Sequence, residues 1–250
     1  MKHLLILVLL AVLIACTSAI AQKQPSKSAS QKEEPKGNAA IVVDERLSLL
    51  LSQPSLYALP IQRMRRGRQL KVLRSKVADG VTFYEVKPSS RDVTGWVQAE
   101  AIIGNFRRDD DQRLAKLVQA SRGFAQIERA VFFLNYFPKS KMRPSILLLI
   151  GDLVEEEALA LSKKAGERLD RREMAASGAP LHSFYLNFSG LDRYRKLGIR
   201  FLFNINTRSY HYDGGAWFEL LSKFKNTLEA QEAQRRLATL KEKMERDSKP

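Results

Sequence analysis

The sequence predicts an α+β multidomain chain: a small β-barrel over residues 40–104, followed by an all-α domain over residues 105–250. Two observations carry that prediction. Between 40 and 104, short runs of β-branched and aromatic residues alternate with Gly, Pro and Asp turn signals. From Asp109 onward, apolar residues recur at i, i+3, i+4 and i+7, the spacing of helices with one buried face. The composition agrees. Of 250 residues, 44% are hydrophobic and 28% charged, which excludes wholesale disorder and a multi-span membrane protein. A single Cys excludes an intrachain disulfide and a Cys-based zinc site.

The first element is an address. Met1-Lys2-His3 is basic, and Leu4 to Ala15 follow without a polar residue. A helix needs about 20 apolar residues to span a bilayer, so this shorter run reads as a secretory signal over residues 1–21. It contains two exits. Ala19-Ile20-Ala21 is a small-x-small site that would leave Gln22 first, and Leu13-Ile14-Ala15-Cys16 resembles a bacterial lipobox. That resemblance implies lipidation at Cys16. Thr17 after it, by resemblance to enterobacterial lipoproteins, implies the outer membrane. Residues 22–39 are polar and rich in Lys, Ser and Gln; they lack the apolar surface to fold and read as a disordered linker.

Five strands are expected next, at 41–43, 47–51, 69–73, 82–86 and 95–97, with Asp79-Gly80 as a tight turn. The order Ile61 to Leu73, Asp79-Gly80, Phe83-Tyr84-Glu85-Val86 and Thr94-Gly95-Trp96-Val97 resembles the bacterial Src-homology-3-type (SH3-like) domain. The resemblance covers about a quarter of the chain, and Gly95-Trp96-Val97 is its most specific piece. Where that family often carries a Leu-Arg-x-Arg stretch, this chain has Leu47-Ser48-Leu49-Leu50-Leu51. The resemblance implies a small closed core with Trp96 buried in it. As a separate domain, residues 40–104 are expected to unfold alone when Trp96 is truncated.

The helical part starts at Asp109-Asp110-Asp111, negative charge where a helix dipole favours it. Gly123 separates the first helix from a second over Phe124–Phe137, which ends at Pro138, and a third runs over Ser145–Leu169. Phe133 to Ser140 and Leu220 to Thr227 each read as a helix ending in an aromatic, then a turn, then a partner helix. Both resemble the junction of tetratricopeptide-like hairpins, which implies an irregular helical-repeat-like domain, since no 34-residue period is visible. Between them, residues 183–218 hold ten of the chain's 21 aromatics. Phe201-Leu202-Phe203 and Tyr210-His211-Tyr212 form either a hairpin or two edges of a long loop. A last helix is expected over Leu228–Arg246, with a narrow apolar stripe from Ala230 to Met244.

Catalytic signatures are missing: there is no Gly-x-Ser-x-Gly elbow, phosphate-binding Gly-rich loop or His-Glu-x-x-His. Cys16 lies in the signal, which removes a cysteine-peptidase reading. His182 and His211 read as ordinary polar residues, so no metal and no cofactor is expected. Glu155-Glu156-Glu157 point about 100° apart in turn and read as a solvated face. Two clusters are candidate ligand-binding sites. Arg65, Arg66 and Arg68 surround Gly67 and suit anionic headgroups or wall polymer. Tyr210, Tyr212 and Trp217 lie in the aromatic block with Arg193, Arg195, Arg200 and Arg208 interleaved, the residue types of binding hot spots. The expectation is therefore a non-enzymatic envelope binding or scaffold protein, exported to the periplasm and held to the membrane through a lipid anchor. Its partner would be an envelope protein or peptidoglycan. The alternative is a cell-wall hydrolase or a regulator of one. Export argues against nucleic acid despite a net charge of +15.

Overall fold

The computed structural model describes residues 38–90 and 92–245. The signal, Cys16 and residues 22–37 of the expected linker lie outside them. Asn38 and Ala39 do not belong to a linker: they open the first strand and pair with Val72 and Lys71.

Seven strands form one antiparallel sheet: β1 (Asn38–Val42), β2 (Leu49–Leu51), β3 (Pro60–Arg63), β4 (Gln69–Ala78), β5 (Val81–Pro88), β6 (Gly95–Gln98) and β7 (Ile102–Gly104). A 3-10 turn at Ala99–Ala101 joins the last two. The order is β3-β2-β6-β5-β4-β1-β7. Its end strands do not pair with each other, so the sheet is open where a closed barrel was expected. β3 and β7 are additional to the five strands expected. Pro60 opens β3 at the edge, where its missing N–H breaks no ladder. β4 and β5 form the longest hairpin, closed by Asp79-Gly80 between Ala78 and Val81. The register slips between Val72 and Arg74, a bulge that bends the hairpin.

Alternation along β1 sends its side chains into two cores. Ala40 and Val42 face Leu50, Met64, Leu70, Val72, Val86 and Val97 inside the bent sheet. Ile41, together with Val43 and Ile103, faces the helices instead.

The helical part comprises α1 (Asp110–Gln119), α2 (Gly123–Tyr136), α3 (Arg143–Arg168), α4 (Arg171–Ser177), α5 (Leu181–Ser189) and α6 (Asp192–Arg195). After the strands β8 (Phe201–Asn204) and β9 (Ser209–Tyr212) come α7 (Gly215–Lys223) and α8 (Leu228–Glu245). The expected all-α domain thus contains a two-stranded sheet. Phe201 pairs with Tyr212 and Asn204 with Ser209. The Asn204 carboxamide oxygen accepts the N–H groups of Asn206 (2.9 Å) and Thr207 (3.3 Å), an Asx turn that reverses the chain. The 26-residue α3 is the spine, with α2, α5, α7, α8 and β9 packed around it.

The α2–α3 and α7–α8 connections share one bond pattern. Ser140 N–H donates to Phe137 O and Thr227 N–H to Phe224 O, in each case a bond back across three residues to the aromatic that closes the first helix.

Sheet and helices are stitched together. Arg129 on α2 donates Nε and Nη2 to Val43 O at 3.2 and 2.9 Å. The Tyr136 hydroxyl donates to Ala40 O at 3.4 Å. Asp110, wholly buried at the start of α1, accepts Gly104 N–H at 2.9 Å and Arg113 Nη1 at 2.6 Å. No described helix is long and apolar enough to cross a membrane.

Candidate functional site

The first arginine cluster lies on the turn between β3 and β4. Gly67 sits at φ +82°, and a Cβ there would stand 3.2 Å from Phe132 Cζ of α2, so backbone conformation and space both call for glycine. Its neighbours part company. Arg66 turns inward: its N–H donates to Glu45 Oε1 at 2.8 Å, and its Nε pairs with Glu128 on α2. Arg68 is half-buried and donates Nη1 to the Ser90 hydroxyl. Arg65 is exposed; its carbonyl accepts Arg68 N–H at 3.1 Å, and its guanidinium has no hydrogen bond or ion pair among the described residues. An open concavity of about 450 Å³ is lined by Arg65, Arg66, Gly67, Arg68, Gln69, Ser89 and Ser90. The structure thus brings the three predicted arginines together and adds two serines from the turn after β5 that nothing in the sequence marked.

The second cluster departs from expectation. Tyr210, Tyr212 and Trp217 are 5%, 7% and 1% exposed, so they do not form an open aromatic groove. Trp217 packs edge-on against Tyr212 (5.5 Å) and over Gly151 of α3, where a Cβ would lie 2.3 Å from the indole nitrogen. That nitrogen is buried and makes no hydrogen bond among the described residues. The Tyr212 hydroxyl accepts Ala216 N–H at 2.7 Å, capping the start of α7, and burial pushes its pKa up to about 12. Tyr210 is fixed at both ends, its N–H on Ser162 Oγ (2.9 Å) and its hydroxyl on His182 O (2.8 Å). These bonds explain why three consecutive residues of β9 are buried despite alternation. Tyr210 and Tyr212 face one side, and His211 on the other side meets polar partners.

Those partners include Glu155, which is buried and not on a solvated face. Glu155 Oε1 lies 3.0 Å from His211 Nδ1 and 2.9 Å from Lys243 Nζ; Oε2 accepts Tyr212 N–H at 2.9 Å. Burial pushes this carboxyl up, yet the bonds from His211, Lys243 and Tyr212 together outweigh it and hold it below its ordinary value. A signal was present: Gly151, Glu155, Ala158 and Ser162 follow a 4-3-4 spacing, one face of α3, and all four are buried. This cluster ties α3, β9 and α8 together.

One part of the aromatic block does face a cavity. Phe201 and Phe203 share a face of β8 and are half-buried. With Tyr210, Leu186, His182, Ser183, Arg195 and Arg200 they line a space of about 500 Å³. Phe203 stands 5.0 Å from Tyr210 and 6.1 Å from His182 between ring centres. The Arg195 guanidinium has no hydrogen bond or ion pair among the described residues, and Arg200 gives Nε to Asp213 at 3.0 Å. A smaller space of about 270 Å³ lies between α2, α3 and α7 and includes the Arg143–Glu219 ion pair, closed at 2.7 Å.

An apolar patch completes the surface. Tyr57, Leu59 and Val77 are 89%, 78% and 70% exposed, with Leu56 and Ile61 partly so. Asp79 accepts Ser55 Oγ (2.7 Å) and Leu56 N–H (2.8 Å), which ties the loop before β3 to the β4–β5 turn. Among the described residues no group of three His, Cys, Asp or Glu side chains converges to hold a metal ion. No protein-family model, curated protein or solved structure matches the chain.

Proposed function

We propose that this is an exported, non-enzymatic binding protein of the cell envelope, held to the membrane through Cys16, that grips carboxylate or phosphate groups of wall polymer through Arg65 and Arg68. The observation that carries the reading is the open concavity on the β3–β4 turn. It presents one unengaged guanidinium, a second with only one end bonded, and the hydroxyls of Ser89 and Ser90. A planar guanidinium fork matches the paired oxygens of a carboxylate or a phosphate, and these charge-assisted bonds are the strong ones. In this reading the sheet is an SH3-like module and the helical hairpins are tetratricopeptide-like. The strand motifs and the shared bond pattern of the two helical turns support that view.

Co-sedimentation with purified peptidoglycan sacculi tests the function. The protein should pellet with sacculi at low salt and release as salt rises, because exposed charges are screened. Arg65→Ala combined with Arg68→Ala should abolish pelleting without changing the melting temperature. Equal pelleting of the double variant would sink the reading. A clearing band on a zymogram of wall material would point instead to the hydrolase. Fatty-acid labelling that survives Cys16→Ser would remove the anchor.

The exposed patch at Tyr57, Leu59 and Val77 favours a second reading, a scaffold that binds an envelope protein. It sits beside β3, an end strand of the sheet, and exposed apolar patches of this kind mark interaction sites for other proteins. Tyr57→Asp with Leu59→Asp should then leave sacculus binding intact while removing photocrosslinks formed at position 61 in intact envelopes.

A further inference from the structure

We propose that the cavity between α5, α6 and the β8–β9 hairpin binds an amphipathic organic carboxylate, its apolar body against Phe201, Phe203, Tyr210 and Leu186 and its anionic end against Arg195 and Arg200. This goes beyond wall-polymer binding and uses none of the same residues.

The cavity has the size and the wall chemistry of a small-ligand site. Its volume of about 500 Å³ lies within the range of about 300–1,000 Å³ for such sites. Its floor is aromatic and continuous: Phe201 and Phe203 stand 6.4 and 5.0 Å from Tyr210, ring centre to ring centre. The two phenylalanines also tell the cavity from the core. Neighbouring rings of this domain, Tyr194 and Trp217, are fully buried, whereas Phe201 and Phe203 keep part of their surface open toward the space. Tyr210 cannot swing away, because its backbone is bonded to Ser162 and its hydroxyl to His182 O. The floor is therefore preformed, which lowers the entropy cost of binding.

The charge at the cavity is one-sided. Arg195 and Arg200 line it, and no acidic side chain does. Arg200 is 85% exposed and engages Asp213 through Nε, leaving its terminal nitrogens to meet an anion. Arg195 is exposed and lines the same space as Tyr210, and its charge opposes the rise that burial imposes on the Tyr210 phenol. His182 and Ser183 sit in the first turn of α5, at the positive end of that helix's dipole. A neutral apolar ligand would leave these cations idle. A bare inorganic anion would leave the aromatic floor wet. A molecule with both parts uses the whole site.

The test is fluorescence titration of the purified protein with 1-anilinonaphthalene-8-sulfonate, an aromatic sulfonate with the required two-part chemistry. One saturable site is expected. Decanoate and N-acetylphenylalanine should each displace the probe, and the stronger competitor tells an acyl from an aryl carboxylate; decanol should compete poorly. Arg195→Ala with Arg200→Ala should weaken the probe about tenfold or more, since hydrogen bonds to charged groups are the strong ones. Leu186→Trp should fill the space and abolish binding, and circular dichroism should show both proteins folded. Arg65→Ala with Arg68→Ala should bind the probe as the wild type does, which separates this site from the proposed wall-polymer site. The proposal is overturned if the probe does not saturate, if the Arg195/Arg200 variant binds it as tightly as the wild type, or if the Arg65/Arg68 variant is the one that loses it.

Discussion

In the sheet, Ala40, Val42, Leu50, Leu70, Val72, Val86 and Val97 meet one another as aliphatic surfaces contributed by adjacent strands. In the helical part, Phe133, Tyr194, Tyr212 and Trp217 fill the core, and a carboxylate, an imidazole and an ammonium lie bonded beside them. The first core is held by area removed from water, which is non-directional. The second also depends on bonds whose loss strands a buried charge, so single substitutions there should cost more and respond to pH. The two cores share a wall, because β1 sends alternate side chains into each. Thermal unfolding followed by circular dichroism and by tryptophan fluorescence should therefore give one transition, with Trp96 and Trp217 reporting the same midpoint. Two separated midpoints would show that the shared wall does not couple them.

Trp217→Ala and Trp96→Ala sharpen the contrast most. Removing a buried Trp costs about 3–5 kcal/mol. Trp217 should fall at the top of that range, since its ring is wrapped by Gly151 and Tyr212 on the spine of the domain. Trp96 should fall at the bottom. It shares a small cluster with Leu51 and Phe83 and is covered outside by the Arg74 guanidinium at 5.3 Å. Denaturant melts that rank the two the other way round would break the comparison.

The sheet was the more legible region, and the reason is physical. Half of its pairings, β2–β3, β4–β5 and β5–β6, join strands that follow one another in the chain, and there alternation with turn residues records both pairing and burial. Asp79-Gly80 named its hairpin, and Gly95-Trp96-Val97 its buried strand. β3 was missed because Pro60-Ile61-Gln62-Arg63 is an edge strand with no buried face to pattern it. In the helical part, periodicity located the long helices. It did not show that Glu155 meets His211 and Lys243, residues more than fifty positions away, because nothing local encodes that meeting. Likewise the density of arginine at 63–68 did not reveal that Arg66 is consumed by Glu128, while Arg195 stays open. Which charges are available is settled by tertiary contact.

Glu155→Ala tests the buried cluster directly. It leaves the Lys243 ammonium, His211 and the Tyr212 N–H without their acceptor. Breaking a buried ion pair by removing one partner costs about 3–5 kcal/mol, and exposure of Lys243 places this case at the lower end. Gly151→Ala should cost less, about 1–3 kcal/mol, because one methyl must be accommodated against the indole. In a Trp217→Phe background the same change should cost measurably less, since the clashing Nε1 is gone. Strict additivity in denaturant melts would mean that the clash is relieved elsewhere.

The smallest effect is the pH dependence, and it separates the two cores most cleanly. The folded state holds Glu155 below its ordinary value of 4.5, because bonds from His211, Lys243 and Tyr212 outweigh the burial that would raise it. Between the folded and unfolded values the unfolded chain binds the extra proton, so stability rises with pH there. The contribution of Glu155 is fully present above 4.5 and is lost as pH falls through the folded value. Glu155→Gln has no proton to bind at this position. Its stability deficit relative to wild type should therefore be largest near neutral pH and shrink as pH drops below 4.5. Val86→Ala, which only removes methyl groups from the aliphatic core of the sheet, should show a deficit that stays constant over the same interval. Melts across that range decide the matter: if both deficits run parallel to the wild-type curve, the Glu155 carboxylate is not ionised against its partners, and the two cores differ in packing alone.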